Sequence, residues 1–194
     1  MTTVLITGFG PFPGAPFNPS GGLALALAKT RRPKFAGVRR VVHVFETSYA
    51  AVERDLPRLL EQHRPDIVLM FGFAARTPFV RIEMRARNAV SMLFPDVDGK
   101  VREDRAIMPG APAFLRGRAP FARLLGAARA TRAHVRLSLN AGDYLCNYTY
   151  WRALEESRSG TLAQFVHIPL SSQGGNVLHA GEAILLALLV ARRR

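Results

Sequence analysis

The spacing of apolar and polar positions changes several times along the chain, and each change marks an element. Residues 3–7 (TVLIT) are a short apolar, β-branched run, which predicts a strand. It passes directly into the proline- and glycine-rich stretch GFGPFPGAPFNPS. A helix is predicted over residues 23–29, capped by Asn18 or Ser20, with Gly21 and Gly22 weakening its first turn. Residues 38–45 read as a second strand, and Ser48 precedes a helix carrying Val52, Leu56, Leu59 and Leu60 on one face. Residues 66–73 (DIVLMFGF) are continuously apolar, as expected of a strand covered on both sides. Residues 79–88 then alternate, with Val80, Ile82 and Met84 on one side and Arg81, Glu83, Arg85 and Arg87 on the other.

From Ser91 to Arg118 the pattern fails and proline, glycine and charge dominate; loops of such length usually carry function. A helix over 121–129, a strand over 134–139, the turn Asn140-Ala141-Gly142 and a helix from Cys146 to about Glu156 follow. Residues 164–170 are the last strand. The last helix, about 178–191, runs into Arg192-Arg193-Arg194, whose charge complements the negative end of its dipole. Strands separated by helices predict an α/β fold: a three-layer α/β/α sandwich with a mainly parallel sheet, in a single domain over residues 1–194. Sites in such sheets lie beyond the carboxyl ends of the strands. The segments there are the Gly8–Pro19 loop, Gly72–Thr77, the turn before Cys146, and His167.

Composition narrows the function classes. With 48% hydrophobic and 21% charged residues in 194, the chain can bury a core, which excludes a disordered or collagen-like protein. The longest apolar run, residues 183–191, falls well short of the ~20 residues a membrane span needs. The start MTTVLITG lacks the basic segment and cleavage site of a signal peptide, so a cytoplasmic protein is expected. A single cysteine forbids an internal disulfide and a cysteine zinc cage within one chain. The net charge of +13 arises from 24 arginines and 3 lysines against 14 acids. Nucleic-acid binders gather their cations on one patch interleaved with stacking aromatics. Here the arginines are spread along almost the whole chain, so no nucleic-acid partner is expected.

Three residues carry candidate chemistry. Cys146 sits inside the opening turns of a helix, where unpaired N–H groups and the helix dipole favour a thiolate. His167 ends an apolar strand at the crevice, where a general base is needed. His63, His179, His43 and His134 lack such a setting. Glu83 stands among Arg81, Arg85 and Arg87, whose charges favour an ionised carboxylate able to orient an imidazole. Each also has an ordinary reading: a small buried hydrophobe, a satisfied core histidine and a surface ion pair. The glycine loop at 8–14 is no phosphate cradle, because Pro11 and Pro13 each delete an N–H donor. It offers instead Phe9 and Phe12, either as an apolar wall for a small flat ligand or as a cap on the core.

Taken together, six segments resemble, in order, the pyroglutamyl peptidase I family of cysteine peptidases. They are VLITGFGPFPGAPFNPS, PDIVLMFGFA, RIEMRARNAV, FPDVDGKVRED with IMPGAP, LNAGDYLCNYTYWRAL, and FVHIPL, spanning about residues 4–170. The resemblance implies Cys146 as nucleophile, His167 as general base and acid, and Glu83 as the group that orients the histidine. It implies that Phe9 and Phe12 sandwich a pyroglutamyl ring, with Phe73, Tyr144 and Leu145 beside them. It further implies an α/β/α sandwich, no metal or cofactor, N-terminally pyroglutamylated peptides as substrates, a cytosolic setting, and self-association as a dimer or tetramer.

The chain departs from the family pattern in three places. Gly72-Phe73-Ala74-Ala75-Arg76-Thr77 stands for the usual G-x-A-x-G-R, lacking the second glycine and carrying arginine one position early. Leu93 occupies the position of an arginine in the usual D-A-R-I-P-D-N. The segment Ser171-Ser172-Gln173-Gly174-Gly175-Asn176 is shorter than in relatives. These changes spare the three candidate catalytic residues. They leave two other readings: a related thiol amidohydrolase with a different small substrate, or a basic protein that binds without catalysis.

Overall fold

The computed structural model describes residues 1–12, 15–170 and 174–192. Its frame is a six-stranded sheet in which β1 (Thr2–Phe9) lies between β2 (Val38–Phe45) and β3 (Ile67–Phe73), both parallel to it. Beyond β3 come β8 (Leu162–Ile168), β4 (Val80–Glu83) and β7 (Val135–Ser138), giving the order β2-β1-β3-β8-β4-β7. Every pairing is parallel except β4 with β8. The apolar runs of β1 and β3 are buried on both faces because a helical layer covers each side.

Strand alternation sorts these residues into two cores. Val4, Ile6, Leu69, Phe71, Ile82, Val166 and Ile168 pack under α1 (Pro19–Lys29), α3 (Phe121–Arg129) and α5 (Gly174–Arg192). Leu5, Phe45, Val68, Met70, Ala163 and Phe165 pack under α2 (Tyr49–His63) and α4 (Leu145–Glu156). The three-layer α/β/α arrangement with a mainly parallel sheet is therefore as the periodicity predicts. Among the described residues no helix is long and apolar enough to cross a membrane.

Two differences from the sequence reading bear on the site. Helix α1 starts at Pro19, with Asn18 as its cap, and takes in both Gly21 and Gly22. Close packing explains this. A Cβ on Gly8 would meet Ser20 O at 2.4 Å, and one on Gly21 would meet Phe9 O at 2.9 Å. The helix start thus lies directly on the end of β1, and Ser20 Oγ accepts the Phe9 N–H at 3.0 Å.

The second difference is that the alternating stretch 79–88 is two strands. The carbonyl of Glu83 accepts from Tyr150 Oη at 3.1 Å and from Gln164 Nε2 at 2.9 Å, and β4 ends there. After Met84 the chain enters β5 (Arg85–Arg87), which pairs antiparallel with β6 (Phe114–Arg116) inside the stretch expected to be a loop. The rest of that stretch is held by side chains. Asp96 is buried and accepts from Tyr49 N (3.0 Å), Asp98 N (3.0 Å) and Lys100 N (2.8 Å). Three features of the sequence reading, Pro13 and Gly14 of the glycine loop, the start of the short segment after Leu170 and the last two arginines, lie outside the described residues.

Candidate active site

Cys146, His167 and Glu83 lie on the α2/α4 face of the sheet, His167 near the carboxyl end of β8 and Glu83 at the end of β4. Gly142 takes a φ of 88°, which only glycine adopts without strain, and turns the chain from β7 toward α4. Tyr144 is the N-cap residue and Cys146 the second residue of the helix. The first helical bond closes from Tyr148 N to Tyr144 O at 3.0 Å, so the N–H groups ahead of it have no partner within the helix. Asn147, fully buried, locks this helix start to β5. Its Oδ1 accepts from Arg87 N at 2.8 Å, and its Nδ2 donates to Arg87 O (2.8 Å) and Ala89 O (2.9 Å). The sequence reading gave Asn147 no role, although it directly follows the cysteine.

His167 and Glu83 meet across the only antiparallel pairing of the large sheet. Arg81 is opposite His167 and Glu83 opposite Phe165, so Glu83 is the diagonal neighbour of His167 on one face. His167 Nδ1 lies 2.8 Å from Glu83 Oε1, with the two residues 3% and 0% exposed. The surface ion pair that sequence allowed for Glu83 is thus a buried contact. Burial lowers the pKa of His167 below its usual 6.5, against the raising effect of Glu83. The imidazole is accordingly neutral near pH 7. In the tautomer that donates Nδ1–H to Glu83, Nε2 is left as an acceptor.

Cys146 packs on β3. A Cβ built on Gly72 would stand 2.7 Å from Cys146 Sγ and 2.7 Å from Phe165 Cζ. Gly72 is the register partner of His167 in the β3–β8 ladder, which sets the sulfur beside the histidine's strand. Cys146 is only partly buried as a residue, yet the surroundings of its thiol are dense enough to push its pKa up to about 12. Burial is the main cause and the Glu83 charge adds to it, whereas Arg81 and a backbone N–H act the other way. This corrects the sequence expectation of a lowered value: the helix start is there, but desolvation outweighs it. Near pH 7 Cys146 is therefore a thiol and His167 a neutral imidazole.

The residues expected to wall the ligand divide. Phe9 (2% exposed) and Leu145 are core residues, with the Phe9 ring 5.8 Å from that of Phe45. Phe12 is half-buried, and its ring lies 6.2 Å from Tyr144. Tyr144 in turn lies 6.0 Å from Tyr49 and 6.5 Å from Phe94, and its hydroxyl donates to Pro95 O at 2.9 Å. A half-exposed aromatic cluster thus borders the helix that carries the thiol. Phe73 is half-buried and in register with Ile168, so strand alternation assigns it to the opposite face from Gly72. Leu93 is 82% exposed.

Comparison with known proteins bears on the fold and the family. Residues 2–179 match the sequence profile of a family described as pyroglutamyl peptidase. The chain is 32% identical over 173 residues to the pyrrolidone-carboxylate peptidase of Thermococcus kodakarensis, covering 88% of this chain and 82% of that one. It is 33% identical over 176 residues to the Deinococcus radiodurans protein of the same name, covering 89% and 80%. Among solved structures, a mutant pyrrolidone carboxyl peptidase from Pyrococcus furiosus superposes with a TM-score of 0.90 at 26% identity, covering 98% and 99% of the two chains. The Thermococcus litoralis enzyme gives a TM-score of 0.90 at 25% identity, covering 100% and 97%. On fold and on sequence alike, the chain belongs to the pyroglutamyl peptidase family.

Proposed function

We propose that the protein is a cysteine omega-peptidase that hydrolyses the amide bond after an N-terminal pyroglutamyl residue, with Cys146 as nucleophile, His167 as base and acid, and Glu83 as the orienting carboxylate. The observation that carries this reading is the buried 2.8 Å contact of Glu83 with His167, beside a cysteine packed on the residue in register with that histidine. Sulfur attacks the pyroglutamyl carbonyl while His167 Nε2 takes the thiol proton. The imidazolium then gives that proton to the leaving amine as the C–N bond breaks, and a thioester remains. Water, deprotonated by His167, attacks the thioester; the C–S bond breaks and the proton returns to sulfur. Glu83 holds the ring in one tautomer and stabilises the imidazolium. The free N–H groups at the start of α4 are the donors for the oxyanion, each worth about 3–4 kcal/mol in such sites.

Substrate choice follows from polarity. A pyroglutamyl lactam is flat, small and uncharged, so an aromatic setting built from Phe12 and Tyr144 accepts it and penalises the charge of glutamate. A reduced thiol as nucleophile supports a cytoplasmic location. The reading also takes residues 1–194 as one domain, supported by a six-stranded sheet whose strands come from both ends of the span Thr2 to Ile168, and includes self-association as a dimer or tetramer. A purely basic binding protein draws less support, because many arginines are engaged on the protein itself. Arg54 and Arg58 pair with Asp55, Arg158 and Arg192 with Asp66, and Arg136 stacks on Phe79.

The test is release of a fluorescent amine from a pyroglutamyl amide by wild type and Cys146→Ala under reducing conditions. Turnover that disappears in the variant is expected. A folded wild type that is silent on this amide but cleaves another small acyl amide would replace the pyroglutamyl reading with the divergent amidohydrolase.

A further inference from the structure

Arg81 was, in sequence, one of several arginines alternating along a strand. In the fold it occupies a different position from Arg85 and Arg87. It lies on β4 opposite His167, and its Nε is 3.2 Å from Glu83 Oε1, the same oxygen that faces His167 Nδ1. Its side chain is only 23% exposed. The neighbouring β5 arginine, Arg85, turns away and donates to Leu139 O at 2.9 Å.

We propose that Arg81 is a positioning residue of the thiol hydrolase: its guanidinium shares Glu83 with His167 and holds a positive charge against the Cys146–His167 pair, setting how readily sulfur gives up its proton. The inference rests on the thiol-hydrolase reading above and extends it to a fourth residue. Sharing one carboxylate oxygen divides the negative charge that the imidazolium would otherwise have to itself. A fixed cation nearby also favours the thiolate over the thiol and the neutral imidazole over its protonated form. Both effects have the sign found here, since Arg81 lowers the pKa of Cys146 and of His167 alike. The charged groups around the guanidinium are Glu83 on its own strand, His167 on β8, Cys146 on α4, and Arg136 in register on β7. Arg136 is exposed and directed over the Phe79 ring at 4.3 Å, which leaves Arg81 as the cation that the pair feels.

The experiment compares wild type with Arg81→Met, Arg81→Gln and Arg81→Lys. One readout is the rate of Cys146 alkylation by iodoacetamide at about pH 7.5, which tracks thiolate fraction and needs no substrate. Removing the charge is expected to slow alkylation about tenfold, equivalent to one pKa unit, while Arg81→Lys stays close to wild type. The second readout is the acid limb of kcat/KM on the pyroglutamyl amide, expected at higher pH in the neutral variants because His167 then protonates more readily. A merely structural role would lower activity without moving that limb. If Arg81→Met does not fold, Arg81→Gln against Arg81→Lys carries the same comparison. A folded neutral variant with the wild-type alkylation rate and an unmoved limb would overturn the proposal. Alkylation that responds to Arg81 in a protein silent on the pyroglutamyl amide would support the role of Arg81 while removing the substrate reading.

Discussion

Gly72 and Cys146 are in contact so close that no side chain fits between them: a methyl group at 72 would stand 2.7 Å from the sulfur. The same methyl would stand 2.7 Å from Phe165 Cζ, so it is confined on two sides by a helix residue and a central strand. Gly72→Ala therefore has to displace the thiol. Overpacking of this kind costs about 1–3 kcal/mol, and small displacements of a nucleophile cost rate steeply. The expected outcome is a folded variant, moderately destabilised in urea, whose kcat falls by about a hundredfold. Unchanged kcat would mean that the sulfur position seen here is not the one used in catalysis.

Glu83→Gln keeps the shape of the Glu83–His167 contact and removes its charge. An amide can present its NH2 to Nδ1 and favour the wrong tautomer, and it cannot stabilise an imidazolium. By analogy with the carboxylate-to-amide change in known catalytic triads, the loss in kcat is about 10⁴. Circular dichroism should show an unaltered fold, since the volume is conserved. A loss below about tenfold would demote Glu83 to a structural partner of His167.

Much of this arrangement is legible in sequence, and the part that is not has a physical reason. Cys146 at a helix start and His167 at a strand end follow from local signals, the Gly142 turn and the apolar run before His167. The contact between His167 and Glu83 depends on β4 entering the sheet antiparallel to β8, which no local signal encodes. Side-chain alternation runs unbroken from Val80 to Arg87, but the backbone changes partners at Met84, and periodicity does not report partners. The direction of the Cys146 shift was missed for the same reason. The helix start is a local property, whereas the burial that outweighs it comes from β3 and β8.

Stability should depend on pH at both ends, with signs set by the same groups. His167 has a lowered pKa in the fold, so between that value and 6.5 the unfolded chain binds the proton more readily. The contribution is present above 6.5 and lost as pH falls below it. His43, also lowered by burial, adds to the effect. Cys146 works at the alkaline end. Its raised pKa means that stability is retained below 9.0 and lost as pH rises toward about 12. Thermal melts across pH should show both slopes. His167→Gln should flatten the acid slope in part, leaving the share of His43, and Cys146→Ser should flatten the alkaline one between 9.0 and 10.0, below the range where Tyr49, Tyr144, Tyr148 and Tyr150, also raised by burial, add to it; slopes unchanged by these substitutions would contradict the assignment.

Asn147 anchors the start of the helix that carries the proposed nucleophile. Its amide nitrogen donates to the carbonyls of Arg87, in β5, and of Ala89 just beyond it, and its Oδ1 accepts from the Arg87 N–H. Asn147→Ala leaves partly buried backbone groups at residues 87 and 89 without these partners, at a cost of up to about 1–3 kcal/mol for each group that water does not reach. Asn147→Asp keeps the bond from the Arg87 N–H but turns a carboxylate oxygen toward two carbonyls, so it should be worse than alanine despite its closer shape. Because Cys146 is the residue before it, loosening this anchor should lower kcat more than it raises KM. Urea denaturation with kcat and KM on the pyroglutamyl amide measures all three quantities. An alanine variant that loses stability yet keeps kcat would show that the buried Leu145 side chain, on the other flank of the cysteine, holds the helix start well enough for catalysis.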